Sequence, residues 1–123
     1  MKPVILCYER CSTCKKALKW IEEKHLEVTL SPIKAENPTA EELKEWHLRS
    51  GLPLKRFFNT SGNLYKEMGL KDKLPDMSEE EQYHLLATDG MLVKRPLLVA
   101  KSGVFPGFRE AEWEEILETE GTL

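Results

Sequence analysis

Val4-Ile-Leu-Cys-Tyr-Glu-Arg-Cys-Ser-Thr-Cys-Lys-Lys-Ala17 decides how this chain reads. A short apolar run, Val4 to Cys7, gives way within a few residues to a segment with helical periodicity, and Cys11-Ser-Thr-Cys14 sits at the junction. A sulfur at the start of a helix lies at the positive end of the helix dipole, which stabilises a thiolate on Cys11. Cys14 is one turn further on, within bonding reach of it. A thiol that attacks and a thiol that resolves the mixed disulfide need that spacing. Backbone N–H groups at Ser12, Thr13 and Cys14 precede the first helical hydrogen bond and are available to an oxyanion.

Outward from this motif, Met1 to Cys7 reads as a buried first strand, with Cys7 pointing into the core. A helix over Ser12–Lys24 places Cys14, Ala17, Leu18 and Ile21 on one stripe, at core-facing spacing. Leu26 to Leu30 predicts a second strand, parallel to the first through a right-handed crossover. After Pro32 the pattern turns helical. Thr39-Ala-Glu-Glu42 and Ser78-Glu-Glu-Glu81 are capping boxes; the first helix ends at Ser50-Gly51 and the second is expected to stop at Asp89-Gly90. Short helical turns are expected over Leu54–Phe58 and Asn63–Met68, and Lys71-Asp-Lys73 reads as a solvated loop. Leu97–Ala100 and Val104-Phe105 flank a hairpin signal, and a helix runs from Glu110 to Leu117. Trp20, Trp46, Trp113, Phe57 and Phe58 read as core. The order is β-α-β, a helical insertion, then β-β-α: one domain over 1–123, with a core of about 1–34 and 91–123 and an insertion of about 35–90.

The 123 residues suit one modest core, and 41% hydrophobic with 32% charged composition excludes disorder. Apolar stretches are too short for a membrane span or a secretory leader. A net charge of −3 argues against electrostatic attachment to nucleic acid. Three cysteines without an export signal fit a reducing cytoplasm.

The element order is that of the thioredoxin-like fold, in which a cis-proline faces the cysteine motif; Pro96, preceded by Arg95, stands at that place. Cys11-Ser-Thr-Cys14-Lys-Lys-Ala, Phe57-Phe-Asn-Thr-Ser-Gly62, Tyr65-Lys-Glu-Met-Gly-Leu70, Lys94-Arg-Pro96 and Gly107-Phe108 together resemble the ArsC/Spx family. Within it, the chain looks most similar to uncharacterised Cys-x-x-Cys members with an arsenate-reductase-like pattern. The resemblance implies Cys11 as nucleophile. It also implies three anion-binding arginines, of which Arg95 matches one, Asn59 stands at the second position, and the third falls at or beside Phe108, next to Arg109. The reductases of the family lack a cysteine at position 14, whereas Spx-type proteins share the pair.

Competing readings of the cysteines are weaker. Cys7, Cys11 and Cys14 spell C-x3-C-x2-C, an iron–sulfur spacing, but the chain falls short of the roughly 200 residues of such barrels. Zinc needs four ligands, and His25, His47 and His84 lack ligand spacing, so no metal is expected. A phosphatase-like loop would need arginine where Ala17 stands. The expectation is a thiol-disulfide oxidoreductase with weak arsenate reduction at most. Cys11 would attack, Cys14 would resolve, and Arg95, Ser12, Thr13, Asn59, Pro96 and Arg109 would line the site. It needs no bound cofactor; glutathione with glutaredoxin, or thioredoxin, would return the electrons. The alternative is an Spx-type redox-sensing regulator that binds RNA polymerase without contacting nucleic acid.

Overall fold

The computed structural model describes residues 2–119; Met1, where the first strand was expected to begin, and 120–123 lie outside the described residues. The elements run β1 (Val4–Cys7), α1 (Ser12–Glu23), β2 (Thr29–Pro32), α2 (Ala40–Ser50), α3 (Asn63–Glu67), α4 (Leu70–Lys73), α5 (Glu79–Leu86), β3 (Leu97–Ala100), β4 (Gly103–Pro106) and α6 (Glu110–Thr119). The sheet order is β2-β1-β3-β4, with β1 parallel to β2 and antiparallel to β3, and β3 antiparallel to β4. This is the mixed sheet of a thioredoxin-like α/β fold. No helix among the described residues is long and apolar enough to cross a membrane.

Two compact units divide the chain. One joins the chain up to Pro32 with the chain from Arg95 onward; the other is Ile33–Lys94. In the first, β3 is buried along its whole length, as a central strand must be, while β2 is an exposed edge. The buried face of α1 is Cys14, Ala17, Trp20 and Ile21; Leu18 is only half-buried, and Trp20 fills the place expected of it. Trp20 meets Phe108 and Trp113 edge-on, with ring centroids 5.9 and 6.4 Å away, and Trp113 Nε1 donates to Gly107 O at 2.9 Å. Gly107 adopts φ +87°, a left-handed conformation that spares it the usual Cβ clash, and turns β4 toward α6.

β2 starts later than the apolar run predicted. His25 takes φ +57° beyond the end of α1; its N–H bonds Glu22 O and the Leu26 N–H bonds Ile21 O. That is the hydrogen-bond pattern of a Schellman cap, with histidine where glycine is usual. The cap uses up the residues after the helix, and ladder bonding resumes only at Thr29, whose N–H reaches Pro3 O.

In the Ile33–Lys94 unit both capping boxes form. Thr39 Oγ1 accepts from Glu42 N–H while the Glu42 carboxylate accepts from Thr39 N–H, and Ser78 with Glu81 repeats the arrangement. Gly51 ends α2 in the left-handed region, as its position predicts. α5 ends at Leu86, before Asp89-Gly90. The Asp89 carboxylate instead accepts from Met91 N–H and opens a new 3-10 turn, Gly90–Leu92. Gly90 has no alternative there, since a Cβ would lie 1.9 Å from Ile33 O. Lys71-Asp-Lys73 is part of helix α4 rather than a loop. Leu70 and Leu74 are buried four residues apart, and the charged side chains between them stay in solvent. The five aromatic residues read as core are all buried.

Candidate functional site

Three cysteine sulfurs meet where β1 ends and α1 begins. Cys11 is the N-cap of α1, in extended conformation; its N–H bonds Tyr8 O at 3.0 Å and its carbonyl accepts the first helical bond, from Lys15. That tight turn sets the sulfur of Cys11 at the helix start, half-buried, while Cys14 is 1% exposed. Tyr8 N–H donates to Cys14 Sγ at 3.4 Å. The thiols of Cys7 and Cys11 also hydrogen-bond Cys14, and the charge of Arg95 reaches it.

The strand ladder explains why Arg95 arrives here. The β1–β3 register pairs Val4 with Val99, Ile5 with Leu98 and Leu6 with Leu97. Continued past the strand end, it sets Cys7 opposite Pro96 and Tyr8 opposite Arg95. The Arg95 guanidinium stands over the Tyr8 ring, 5.3 Å from its centroid, a cation–π geometry. The Arg95–Pro96 bond is cis, as the sequence led us to expect. Pro96 O accepts from Gly107 N–H at 2.8 Å, which ties this segment to the end of β4.

The electrostatics differ from the sequence expectation in one respect. The donors converge on Cys14, whose pKa is lowered to about 6. The Cys7 thiol contributes most, burial opposes, and the Tyr8 amide, the Cys11 thiol and Arg95 add to the lowering. Cys7 is pushed upward, chiefly because its proton is held by Cys14, with its own burial as a second cause. The stabilised thiolate therefore belongs to the buried sulfur of the pair.

Ser12 and Thr13 form the first turn of α1, with Ser12 exposed and Thr13 half-buried. Arg109 is exposed; its carbonyl accepts the Trp113 N–H at the start of α6. Asn59 belongs to the Ile33–Lys94 unit, where its N–H bonds Leu92 O and its side chain closes over Gly62. Among the described residues, no group of three His, Cys, Asp or Glu side chains is arranged to hold a metal ion.

Sequence reasoning misplaced one residue and missed another. Cys7 was expected in the core, but it is half-buried and its thiol meets Cys14. A strand's last residue leaves the sheet beside the helix that follows it, so proximity of Cys7 to the motif was readable from the short loop. Tyr8 gave no signal, because the group it offers Cys14 is a backbone amide.

The ArsC family pattern matches residues 6–116. The uncharacterised protein YusI of Bacillus subtilis is 52% identical over 88% of this chain and 92% of its own length. The crystal structure of an ArsC-family-related protein from Bacteroides fragilis superimposes with a TM-score of 0.90 at 56% identity, over 94% of this chain and 99% of that one. More distant relatives include the global transcriptional regulator Spx 2 of Bacillus anthracis, 22% identical over 87% of this chain and 80% of that protein. An arsenate reductase of Rhizobium meliloti is 28% identical over 76% of this chain and 65% of that protein. A β-α-β…β-β-α chain carrying a cysteine pair at the first helix start and a cis-proline just before β3, matched over nearly its whole length, belongs to the ArsC family.

Proposed function

We propose that this chain is a cytoplasmic thiol-disulfide oxidoreductase in which Cys11 is the nucleophile and Cys14 the resolving thiol. The observation that carries the reading is the difference between the two sulfurs. Cys11 is the accessible one, and Cys14, almost wholly enclosed, bears the stabilised thiolate within hydrogen-bond reach of it.

The reaction follows from that geometry. As Cys11 attacks a substrate disulfide, its proton passes to the neighbouring Cys14 thiolate. A mixed disulfide forms, and the substrate's other sulfur leaves as thiolate and collects that proton. Cys14, ionised again, attacks Cys11 Sγ. The Cys11–Cys14 bond forms, the mixed disulfide breaks, and the second substrate thiolate departs. Two electrons move from the dithiol to the substrate. Glutathione with glutaredoxin, or thioredoxin, restores the dithiol. Arg95, whose charge reaches Cys14, would hold an anionic substrate group or the departing thiolate, with the first-turn amides of α1 as further donors. Arg109 is a further candidate for contact with an oxyanion.

The test is turnover of glutathione mixed disulfides, coupled to glutathione reductase, in the wild-type protein, Cys11→Ser and Cys14→Ser. Loss of all turnover in Cys11→Ser, with Cys14→Ser accumulating a stable Cys11 mixed disulfide when free glutathione is withheld, supports the assignment. Undiminished turnover in Cys11→Ser refutes it.

A second reading draws on the Spx-type relatives, which match most of this chain. The same pair would sense oxidation, and the protein would act by binding RNA polymerase. Retention of polymerase subunits by the immobilised oxidised protein, without disulfide turnover, would favour it.

A further inference from the structure

The Ile33–Lys94 unit contains a cavity of about 340 Å³ that the cysteine chemistry does not use, lined by Pro53, Lys55, Arg56, Phe58, Thr60 and Lys94. Two short segments build it. Pro53, at φ −60°, caps a 3-10 turn over Leu54–Phe57. Such a turn sets residues three apart on one face. Leu54 and Phe57 are therefore buried together, and Lys55 and Arg56 between them are left on the outer side. Phe58 then pairs with Val93 in an isolated antiparallel bridge. Asn59 N–H donates to Leu92 O and Lys94 N–H to Phe57 O, each at 2.8 Å, which brings Lys94 alongside the turn. Phe58 closes the floor; it is 1% exposed and packs on Tyr65 with ring centroids 6.2 Å apart.

Charge around this cavity has one sign. Three cationic side chains line it, and no carboxylate among the described residues does, in a chain whose net charge is −3. Among the described residues, Lys55 and Lys94 take part in no salt bridge and the Thr60 hydroxyl makes no hydrogen bond. Like charges gathered around one hollow repel, and an anion placed among them removes that cost. The donors also narrow the anion. Two ammonium groups, a guanidinium and a hydroxyl offer more charge and more hydrogen bonds than a single carboxylate can use. A phosphate monoester, with close to two negative charges and three terminal oxygens, matches them. Pro53 and the aliphatic stems of the lysines supply an apolar wall. The volume, at the low end of the ~300–1,000 Å³ of ligand cavities, leaves room for a small apolar substituent on the phosphate.

We propose that this cavity binds a small phosphate monoester: Lys55, Arg56 and Lys94 hold the dianion, the Thr60 hydroxyl donates to it, and the substituent lies against Pro53. The site belongs wholly to the Ile33–Lys94 unit and requires neither Cys11 nor Cys14.

The test titrates phenyl phosphate into the whole reduced chain and follows backbone amide shifts by NMR. Saturable shifts centred on Lys55 to Thr60 and on Lys94, half-complete below ~1 mM, are expected. Lys55→Gln and Lys94→Gln should each weaken binding ~10-fold or more, the loss of one charge-assisted contact. Lys55 is exposed, so its replacement leaves the fold intact and decides the matter even where Lys94→Gln does not fold. Lys73→Gln removes an exposed charge of the same unit outside the cavity and should leave affinity unchanged, as should Cys11→Ser. Absence of saturation, an equal loss in Lys73→Gln, or shifts centred on Ser12, Thr13 and Arg95 overturns the proposal. Tighter binding of a hexaglutamate peptide than of phenyl phosphate overturns it too, by making the cavity part of a surface for acidic protein segments.

Discussion

Replacing Cys14 with serine should abolish a pH dependence of stability that the wild-type reduced protein carries. Folding lowers the Cys14 pKa from an ordinary 9.0 to about 6. Between those values the unfolded chain holds a proton that the folded chain has released, so stability rises with pH. The contribution is fully present above the unfolded value and is lost as pH falls through the folded one. The slope approaches ~1.4 kcal/mol per pH unit in the middle of the window. From about pH 6.5 to about pH 8.5 the gain is ~2 kcal/mol. Cys7 does not offset it there, because its raised value leaves it protonated in both states until the unfolded thiol titrates. With a urea m-value of ~1–3 kcal/mol/M, the midpoint should climb by roughly 1 M. Urea melts under a phosphine reductant at the two pH values measure this directly. Groups common to both proteins cancel in the difference. Equal slopes for wild-type and Cys14→Ser would show that Cys14 is not a buried thiolate.

Iodoacetamide near neutral pH should modify Cys11 well before Cys14, since enclosure outweighs ionisation for an external reagent; peptide mapping that finds Cys14 labelled first in the folded protein contradicts this. Mild peroxide should give a Cys11–Cys14 disulfide with Cys7 still reduced, and mass mapping that finds Cys7 in the bond would overturn this pairing. Thr39→Ala and Ser78→Ala should each destabilise the protein by ~1 kcal/mol, because each cap satisfies a helix-end N–H; denaturant melts will show it. Arsenate reduction with glutathione and glutaredoxin should be far slower than disulfide exchange. A charge-assisted arginine contact is worth ~1.5–3 kcal/mol, the sequence has Asn59 where the family resemblance implies a second arginine, and Arg109 is exposed. Brisk arsenate turnover that collapses in Arg95→Ala would refute this.

Short-range chemistry was legible in the sequence, and long-range register was not. The capping boxes at Thr39 and Ser78 formed as read, because their partners lie three residues apart. The cysteine pair and the cis bond before Pro96 were likewise placed by local pattern and element order. The late start of β2 was hidden because His25 occupies a left-handed position that composition assigns to glycine. Asp89-Gly90 reads equally well as a helix stop and as the cap of a new turn, and only the close approach of Ile33 O to Gly90 separates the two. The distribution of charge among the sulfurs was out of reach. It depends on which amide and which thiol point at Cys14, and those follow from the β1 to α1 turn rather than from residue type.

That distribution carries its own consequence for mechanism. A helix-start cysteine suggests that the attacking sulfur should be the charged one. Here the Cys11 thiol hydrogen-bonds Cys14, and it is the enclosed sulfur whose thiolate is favoured. An enclosed thiolate is shielded from oxidants and alkylators that an exposed thiolate would meet constantly. In the reaction we propose it is also the base for the Cys11 proton, so that Cys11 would become a nucleophile as substrate arrives. The substrate's leaving sulfur then removes that proton, and Cys14 returns to its charged form at the point where it must attack. Under that proposal, access selects the first sulfur to react and ionisation selects the second, which would order the two steps without a separate catalytic base.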